Sequence, residues 1–170
     1  MSKFICERLA KHHDRKTFDC GVAELDEYLR QRAGQDMRRR TAAVFVLVPE
    51  DDPKRISGYY SLSSGSIMLD DLPDDIIKKL PRYPAVPAVL IGRLARDAKF
   101  PGVGKLLLLD ALVRSLRHTG EVGSAVVLVD VKNEQAYAFY SHYGFTEVSG
   151  RSDRMFLPMS TVEKLLKSHT

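Results

Sequence analysis

Residues 89–120, "VLIGRLARDAKFPGVGKLLLLDALVRSLRHTG", constrain the fold more than any other stretch. The apolar run reads as a central strand ending at Arg96 or Asp97. Beyond it Leu106, Leu109, Leu112, Val113 and Leu116 mark one face of a helix that stops at Gly120. Gly102 and Gly104 lie between the two. One reading of these glycines is a tight strand-to-helix turn. The other is an anion site, because the first turn of a helix has four unpaired N–H donors and a partial positive charge. Lys99 and Lys105 flank the turn and favour an anion. A P-loop needs GxxxxGK[ST], but Leu106 follows Lys105; a dinucleotide fingerprint needs a third glycine where Leu107 stands. Neither motif is present.

The flanking segments place this unit in a mixed sheet. "DCGVAELDEYLRQRAGQDMRRR" reads as a helix over 19–40, with Asp19 as its cap and Val22, Leu25, Leu29 and Ala33 at helical spacing. Ala43 to Val48 and Ile56 to Ser63 read as two strands around a turn at 49–54. A proline-rich passage with a short helix at 74–80 precedes the central strand. "SAVVLVDV" (124–131) reads as a buried strand. "NEQAYAFYSHYG" reads as a helix capped by Asn133, with Tyr137, Phe139 and Tyr143 directed at the core. "GFTEV" and "RMFLPM" are late strands, followed by a terminal helix. The expected fold class is α/β of the mixed α+β kind, one domain over 1–170.

Composition removes several function classes. The chain has 170 residues and only two cysteines, Cys6 and Cys20, with no CxxC spacing. This argues against a zinc site and a disulfide framework and suits a reducing compartment. No apolar run approaches a membrane span, and the N-terminus has no secretory apolar region, so a cytoplasmic protein is expected. His12, His13, His118, His142 and His169 show no triad or metal spacing and read as surface residues. The net charge of +4 is concentrated, with five arginines in residues 30–40. The ordinary reading of that run is a solvated helix face, some of it paired with Asp26, Glu27 and Asp36. The functional reading is phosphate contact.

Lys99 to Gly104 resembles the pyrophosphate loop of the GNAT acetyltransferases, [QR]xxGx[GA], with lysine in place of Gln or Arg at the first position. "NEQAYAFYSHYGF" is similar to that family's Asn and A-x-x-F-Y-x-x-x-G-F segment. Together with "FDCGVAELDEYL", "ISGYYSLSSGSI" and "LPRYPAVPAVLIGRLARD", these motifs resemble the acetyltransferase toxins of bacterial toxin–antitoxin systems over about residues 5 to 160. The resemblance implies a GNAT fold with a central, mostly antiparallel sheet flanked by helices, and acetyl-coenzyme A as cosubstrate without a metal. It implies acetylation of the α-amine of aminoacyl-tRNA, a ribbon-helix-helix antitoxin and a homodimer.

By the same resemblance, Gly102, Val103, Gly104 and Lys105 hold the pyrophosphate. The backbone of Leu94, Ala95 and Arg96 meets the pantetheine arm and the oxyanion, and Tyr140 reaches the sulfur as general acid. Lys99 either joins a phosphate or is solvated; Asn133 either binds pantetheine or only caps its helix. Arg38, Arg39, Arg40 and Arg93 are the candidates for tRNA phosphates. Two other readings remain open: a GNAT enzyme acting on a small-molecule, peptide or protein amine, and a non-catalytic module that binds coenzyme A or RNA.

The chemistry favours α-amines. The central strand has no acid before Asp97, so it offers no obvious general base. A lysine amine, with pKa about 10.4, is almost wholly protonated near neutral pH, whereas an α-amine at about 7.7 to 8.0 is substantially neutral.

Overall fold

A computed structural model describes residues 3–168; His169 lies outside them. The strands are β1 (Phe4–Arg8), β2 (Ala43–Pro49), β3 (Gly58–Met68), β4 (Ala85–Arg96), β5 (Val126–Asp130), β6 (Thr146–Val148) and β7 (Arg151–Pro158). They form one seven-stranded sheet in the order β1-β2-β3-β4-β5-β7-β6. The β4–β5 pair is parallel, while β1–β2, β2–β3, β5–β7 and β6–β7 are antiparallel. This is the mixed, mostly antiparallel sheet expected. The helices are α1 (Ala23–Glu27), α2 (Ala33–Arg38), α3 (Asp74–Ile77), α4 (Val103–His118), α5 (Glu134–His142) and α6 (Met159–Ser168).

Two compact units divide the chain. The first comprises the residues up to Ser63 and Gly92–Ala111. Its core joins Phe18, Tyr28, Leu29 and Ala33 to Val44, Val46 and Val48 of β2 and to Ile56, Tyr59 and Ala95. On the other face of β2, Phe45 stacks on Tyr60 at 5.3 Å between ring centroids. With both faces covered, β2 is apolar at every position instead of alternating. β1 was not expected from the sequence. "FICER" has no clean alternation, and its register with β2, Phe4↔Pro49 to Arg8↔Phe45, is what makes it a strand.

The helix expected over 19–40 is shorter and interrupted. It begins at Ala23, widens to a π-helical turn at Tyr28–Arg32 and resumes as α2. The sequential neighbours Tyr28 and Leu29 are both buried there. Asp19 is not its cap: Oδ1 accepts the Gly21 N–H at 3.0 Å, closing a local turn before the helix starts. Asp26 and Asp36 are likewise engaged away from the arginine run. Asp26 Oδ1 accepts the Cys20 N–H at 3.0 Å, and Asp36 Oδ2 accepts the Tyr28 hydroxyl at 2.7 Å.

The second unit comprises Ser64–Ile91 and the chain from Leu112 onward. Val126, Leu128 and Phe156 pack there with Ile67, Leu72, Val86, Ala88 and Val148. Asn133 caps α5 as expected, its Oδ1 accepting the Ala136 N–H at 2.8 Å. Tyr137 is not a core residue: it is exposed, and its hydroxyl donates to Glu147 at 2.7 Å. In α4 the buried side chains are Val103, Leu107, Leu108, Ala111, Leu112 and Ser115, and Leu106 is 42% exposed. The run of four leucines leaves the phase of the helix ambiguous, and packing chose Leu107 and Leu108.

Candidate active site

Strand β4 pairs with β5 only as far as Ile91↔Val129, and it continues to Arg96. Leu94, Ala95 and Arg96 lie in this extension. Asp97 follows, 1% exposed, and organises the turn behind it. Its Oδ1 accepts the Lys99 N–H at 2.9 Å, and its Oδ2 accepts the Asp19 N–H at 3.0 Å with Arg55 Nη2 at 3.6 Å. Its carbonyl accepts the Phe100 N–H at 3.0 Å, and its own N–H donates to the Ser57 carbonyl at 2.9 Å. The Arg55 guanidinium lies 5.4 Å from the Phe100 ring centroid, and Phe4 meets Phe100 edge-on at 6.2 Å. Both carboxylate oxygens are thus committed to holding the turn.

The two glycines of the turn have different reasons. Gly102 has φ +88°, a left-handed conformation that L side chains rarely adopt, and nothing lies within 4 Å of where a β-carbon would stand. Conformation demands it. Gly104 is inside the first turn of α4 and has no such geometry. A glycine in a helix costs about 1 kcal/mol against alanine, so the backbone alone does not call for it. The N–H groups of Gly102, Val103, Gly104 and Lys105 stand together at this helix start. Lys99 and Lys105 are exposed beside them. Bare backbone, a helix N-terminus and two exposed cations suit a pyrophosphate.

In the second unit Tyr140 is the buried aromatic of α5, 6% exposed. Phe139 and Phe145 each pack edge-on against it at 5.3 Å. Burial, with a smaller contribution from Asp130, pushes its phenol well above the ordinary tyrosine value. Among the described residues no hydrogen bond engages the hydroxyl. The group is therefore a fixed, fully protonated donor.

No protein-family model matches the chain. The chain is 34% identical over 163 residues, 91% of its length and 90% of the relative's, to the probable toxin TacT of Sinorhizobium fredii. It is 34% identical over 140 residues, 81% of each, to the tRNA-acetylating toxin of Mycobacterium tuberculosis. The chain belongs to the family of tRNA-acetylating GNAT toxins. Three solved structures of this family share its fold. A tyrosine-to-phenylalanine mutant of KacT matches with a TM-score of 0.89 and 29% identity, covering 95% of this chain and 98% of that one. AtaT complexed with acetyl-methionyl-tRNA matches with a TM-score of 0.88 and 28% identity, covering 96% and 99%. An AtaT mutant bound to the C-terminus of its antitoxin AtaR matches with a TM-score of 0.80 and 25% identity, covering 95% and 97%.

Like the glycine turn, the arginines of this toxin-family chain are open to solvent. Arg30, Arg32, Arg39 and Arg40 are exposed, and Arg38 is exposed in the same run. Arg40 has φ +60°, turning the chain out of α2. Arg93 is set apart from them. It is half-buried, with its guanidinium 3.5 Å above the Tyr28 ring. Burial and the Asp36 hydrogen bond push the Tyr28 phenol up to about 12, so the ring stays neutral under the cation.

Of the histidines, His12, His118 and His142 are not buried, but His13 is. Its Nδ1 accepts the Ala10 N–H at 2.9 Å, and its Nε2 lies 2.7 Å from Glu7 Oε1. The side chain is thus the neutral Nε2–H tautomer donating to Glu7. Glu7, His12 and His13 have ligand-type atoms within 4.8 Å of one another. With both ring nitrogens of His13 occupied, the group is a hydrogen-bonded brace under β1 rather than a preformed metal site. Sequence reasoning also missed Arg55 and the bracing role of Asp97. An acid directly after the central strand was the available signal.

Proposed function

We propose that the protein transfers the acetyl group of acetyl-coenzyme A to the α-amine of aminoacyl-tRNA, and so acts as a toxin that blocks translation. Its relative from Mycobacterium tuberculosis bears the name of a tRNA-acetylating toxin. The observation on this chain that carries the reading is the commitment of Asp97. The carboxylate that ends the central strand is spent on the Asp19 and Lys99 N–H groups and on Arg55. Without a strong base the enzyme relies on amines already neutral, which selects an α-amine over a lysine side chain.

Acetyl-coenzyme A supplies the activated acyl group. Gly102, Val103, Gly104 and Lys105 hold its pyrophosphate, joined by Lys99. The free edge of β4 at Leu94, Ala95 and Arg96 hydrogen-bonds the pantetheine arm and polarises the thioester carbonyl. Asn133 uses Oδ1 to cap α5, which leaves its amide N–H groups for the pantetheine. The neutral amine attacks the carbonyl carbon, a C–N bond forms and the C–S bond breaks. Tyr140 gives its phenolic proton to the departing thiolate, and the proton released by the amine returns through solvent to the phenolate. General acid assistance of this kind contributes about 10²- to 10⁴-fold.

Arg38, Arg39 and Arg40 meet tRNA phosphates, which position the acceptor stem without reading its sequence. Arg93, held over the Tyr28 ring, is the fourth candidate for a tRNA phosphate. A ribbon-helix-helix antitoxin and a homodimer, both on the family resemblance, and a cytoplasmic location complete the reading. Among the described residues no helix is long and apolar enough to cross a membrane.

The test is transfer of labelled acetyl from acetyl-coenzyme A to bulk aminoacyl-tRNA, with deacylated tRNA and a lysine-rich peptide as controls. Label in aminoacyl-tRNA alone is expected. Label in the peptide with none in aminoacyl-tRNA would replace this reading with that of a protein acetylase.

A further inference from the structure

Gly34 lies in α2, and two guanidinium groups bracket the place where its β-carbon would stand. Arg15 Nη1 and Arg38 Nη1 are each 3.3 Å from that point. The two cationic nitrogens are therefore within twice that distance of one another. Arg15 reaches the spot from the loop after β1, and Arg38 from the last residue of α2. Both residues and Gly34 belong to the same compact unit.

Two guanidinium groups held this close repel each other. Burial and the charge of Arg38 both hold Arg15 below its ordinary value. Among the described residues no carboxylate pairs with either. The nearby acids in sequence are engaged elsewhere: Asp26 by the Cys20 N–H, Asp36 by the Tyr28 hydroxyl, and Asp14 by the Lys16 N–H at 3.0 Å. Glycine costs α2 helix stability relative to alanine, and a methyl group here would press on both arginines at a distance tighter than ordinary contact. Glycine at position 34 leaves room for two unneutralised forks over bare backbone.

We propose that Arg15 and Arg38, converging over Gly34, form a clamp for one phosphodiester of the RNA substrate. A guanidinium presents parallel N–H donors that match two phosphate oxygens, and two of them can grip one phosphate from both sides. A bound phosphodiester also removes the repulsion that the free pair carries. The clamp adds Arg15, which lies outside the arginine run, to the RNA-binding surface. It rests on the tRNA reading above.

The experiment measures affinity for deacylated bulk tRNA over a range of potassium chloride concentrations, for the wild type, Arg15→Gln, Arg15→Lys and Gly34→Ala. Each phosphate that loses its neutralising cation lowers the slope of log K against log salt by about 0.7 to 0.9. Arg38 still meets the shared phosphate in Arg15→Gln, so this variant is expected to weaken binding and lower the slope by less than that amount, with acetyl-coenzyme A affinity unchanged. Arg15→Lys keeps the charge and the slope but loses the fork, so it recovers only part of the affinity. Gly34→Ala weakens binding with all charges retained. A folded Arg15→Gln protein with wild-type slope and affinity overturns the clamp alone, and so does full rescue by lysine. Failure of the wild-type protein to bind tRNA overturns the tRNA reading, and the clamp falls with it.

Discussion

Asp97 and Lys99 are joined by a hydrogen bond in which Asp97 Oδ1 accepts the Lys99 backbone N–H at 2.9 Å. This bond fixes the direction in which the chain leaves the central strand, and hence where the glycines after it begin α4. The other oxygen ties the same point to Asp19. Asp97→Asn places an amide nitrogen against donors that need an acceptor. Loss of a hydrogen bond to a buried charged group costs about 1.5 to 3 kcal/mol, so the melting temperature should fall. KM for acetyl-coenzyme A should rise more than kcat falls, because the loop is displaced while the reacting groups remain. A variant with wild-type KM and melting temperature would show that the turn holds its shape without the carboxylate.

Gly104→Asp adds a side chain and a negative charge at the helix start, where the pyrophosphate docks. Coenzyme A affinity should drop sharply while the melting temperature changes little, since no positive φ is required at this position. Gly102→Ala should lower the melting temperature. Its left-handed backbone makes a side chain cost about 1 to 2 kcal/mol of stability. Titration calorimetry and thermal melts on both variants separate the two roles. Unchanged coenzyme A affinity in a folded Gly104→Asp protein would make the turn merely structural.

Tyr140→Phe keeps the ring between Phe139 and Phe145 and deletes the proton donor. An acid acting on the leaving sulfur contributes in the transition state, so kcat should fall about 10²-fold or more with little change in KM. In the wild type, kcat/KM should climb as the substrate α-amine deprotonates, around its ordinary pKa of about 7.7 to 8.0. The raised phenol stays protonated beyond that range, so no descending limb is expected up to about pH 9.5. A descending limb at about pH 8 to 9 that vanishes in Tyr140→Phe would show a phenol of lower pKa than burial implies.

Glu7 is held below the usual glutamate range first by the His13 hydrogen bond, against a smaller opposing effect of burial. A carboxylate with a depressed folded pKa stabilises the protein above its unfolded value of about 4.3, and that contribution disappears as pH falls through the folded value. The Glu7 side chain is 39% exposed, so solvent keeps the effect small. The melting temperatures of wild type and Glu7→Gln should differ modestly at about pH 6 to 7 and converge at about pH 3 to 4. Parallel curves across that range would remove Glu7 from the acid response.

Local signals in the sequence determined the elements that depend on local rules. β2 follows from its unbroken apolar run, α5 from the Asn133 cap, and the turn before α4 from Gly102 and Gly104. The family motifs at Lys99 to Gly104 and at Asn133 to Phe145 are local in the same way. Only the tertiary structure decided the rest, because each case turns on a partner distant in the chain. "FICER" is a strand only because β2 lies beside it, and Leu106 is exposed only because the core took Leu107 and Leu108. Asp19 and Asp97, 78 positions apart, meet through one N–H donor. His13 is buried because Ala10 and Glu7 satisfy both of its nitrogens. Arg15 and Arg38 converge on Gly34 only after α2 has packed. Periodicity and capping energies act over a few residues and can be read in order, whereas contacts between remote segments exist only once the chain has closed.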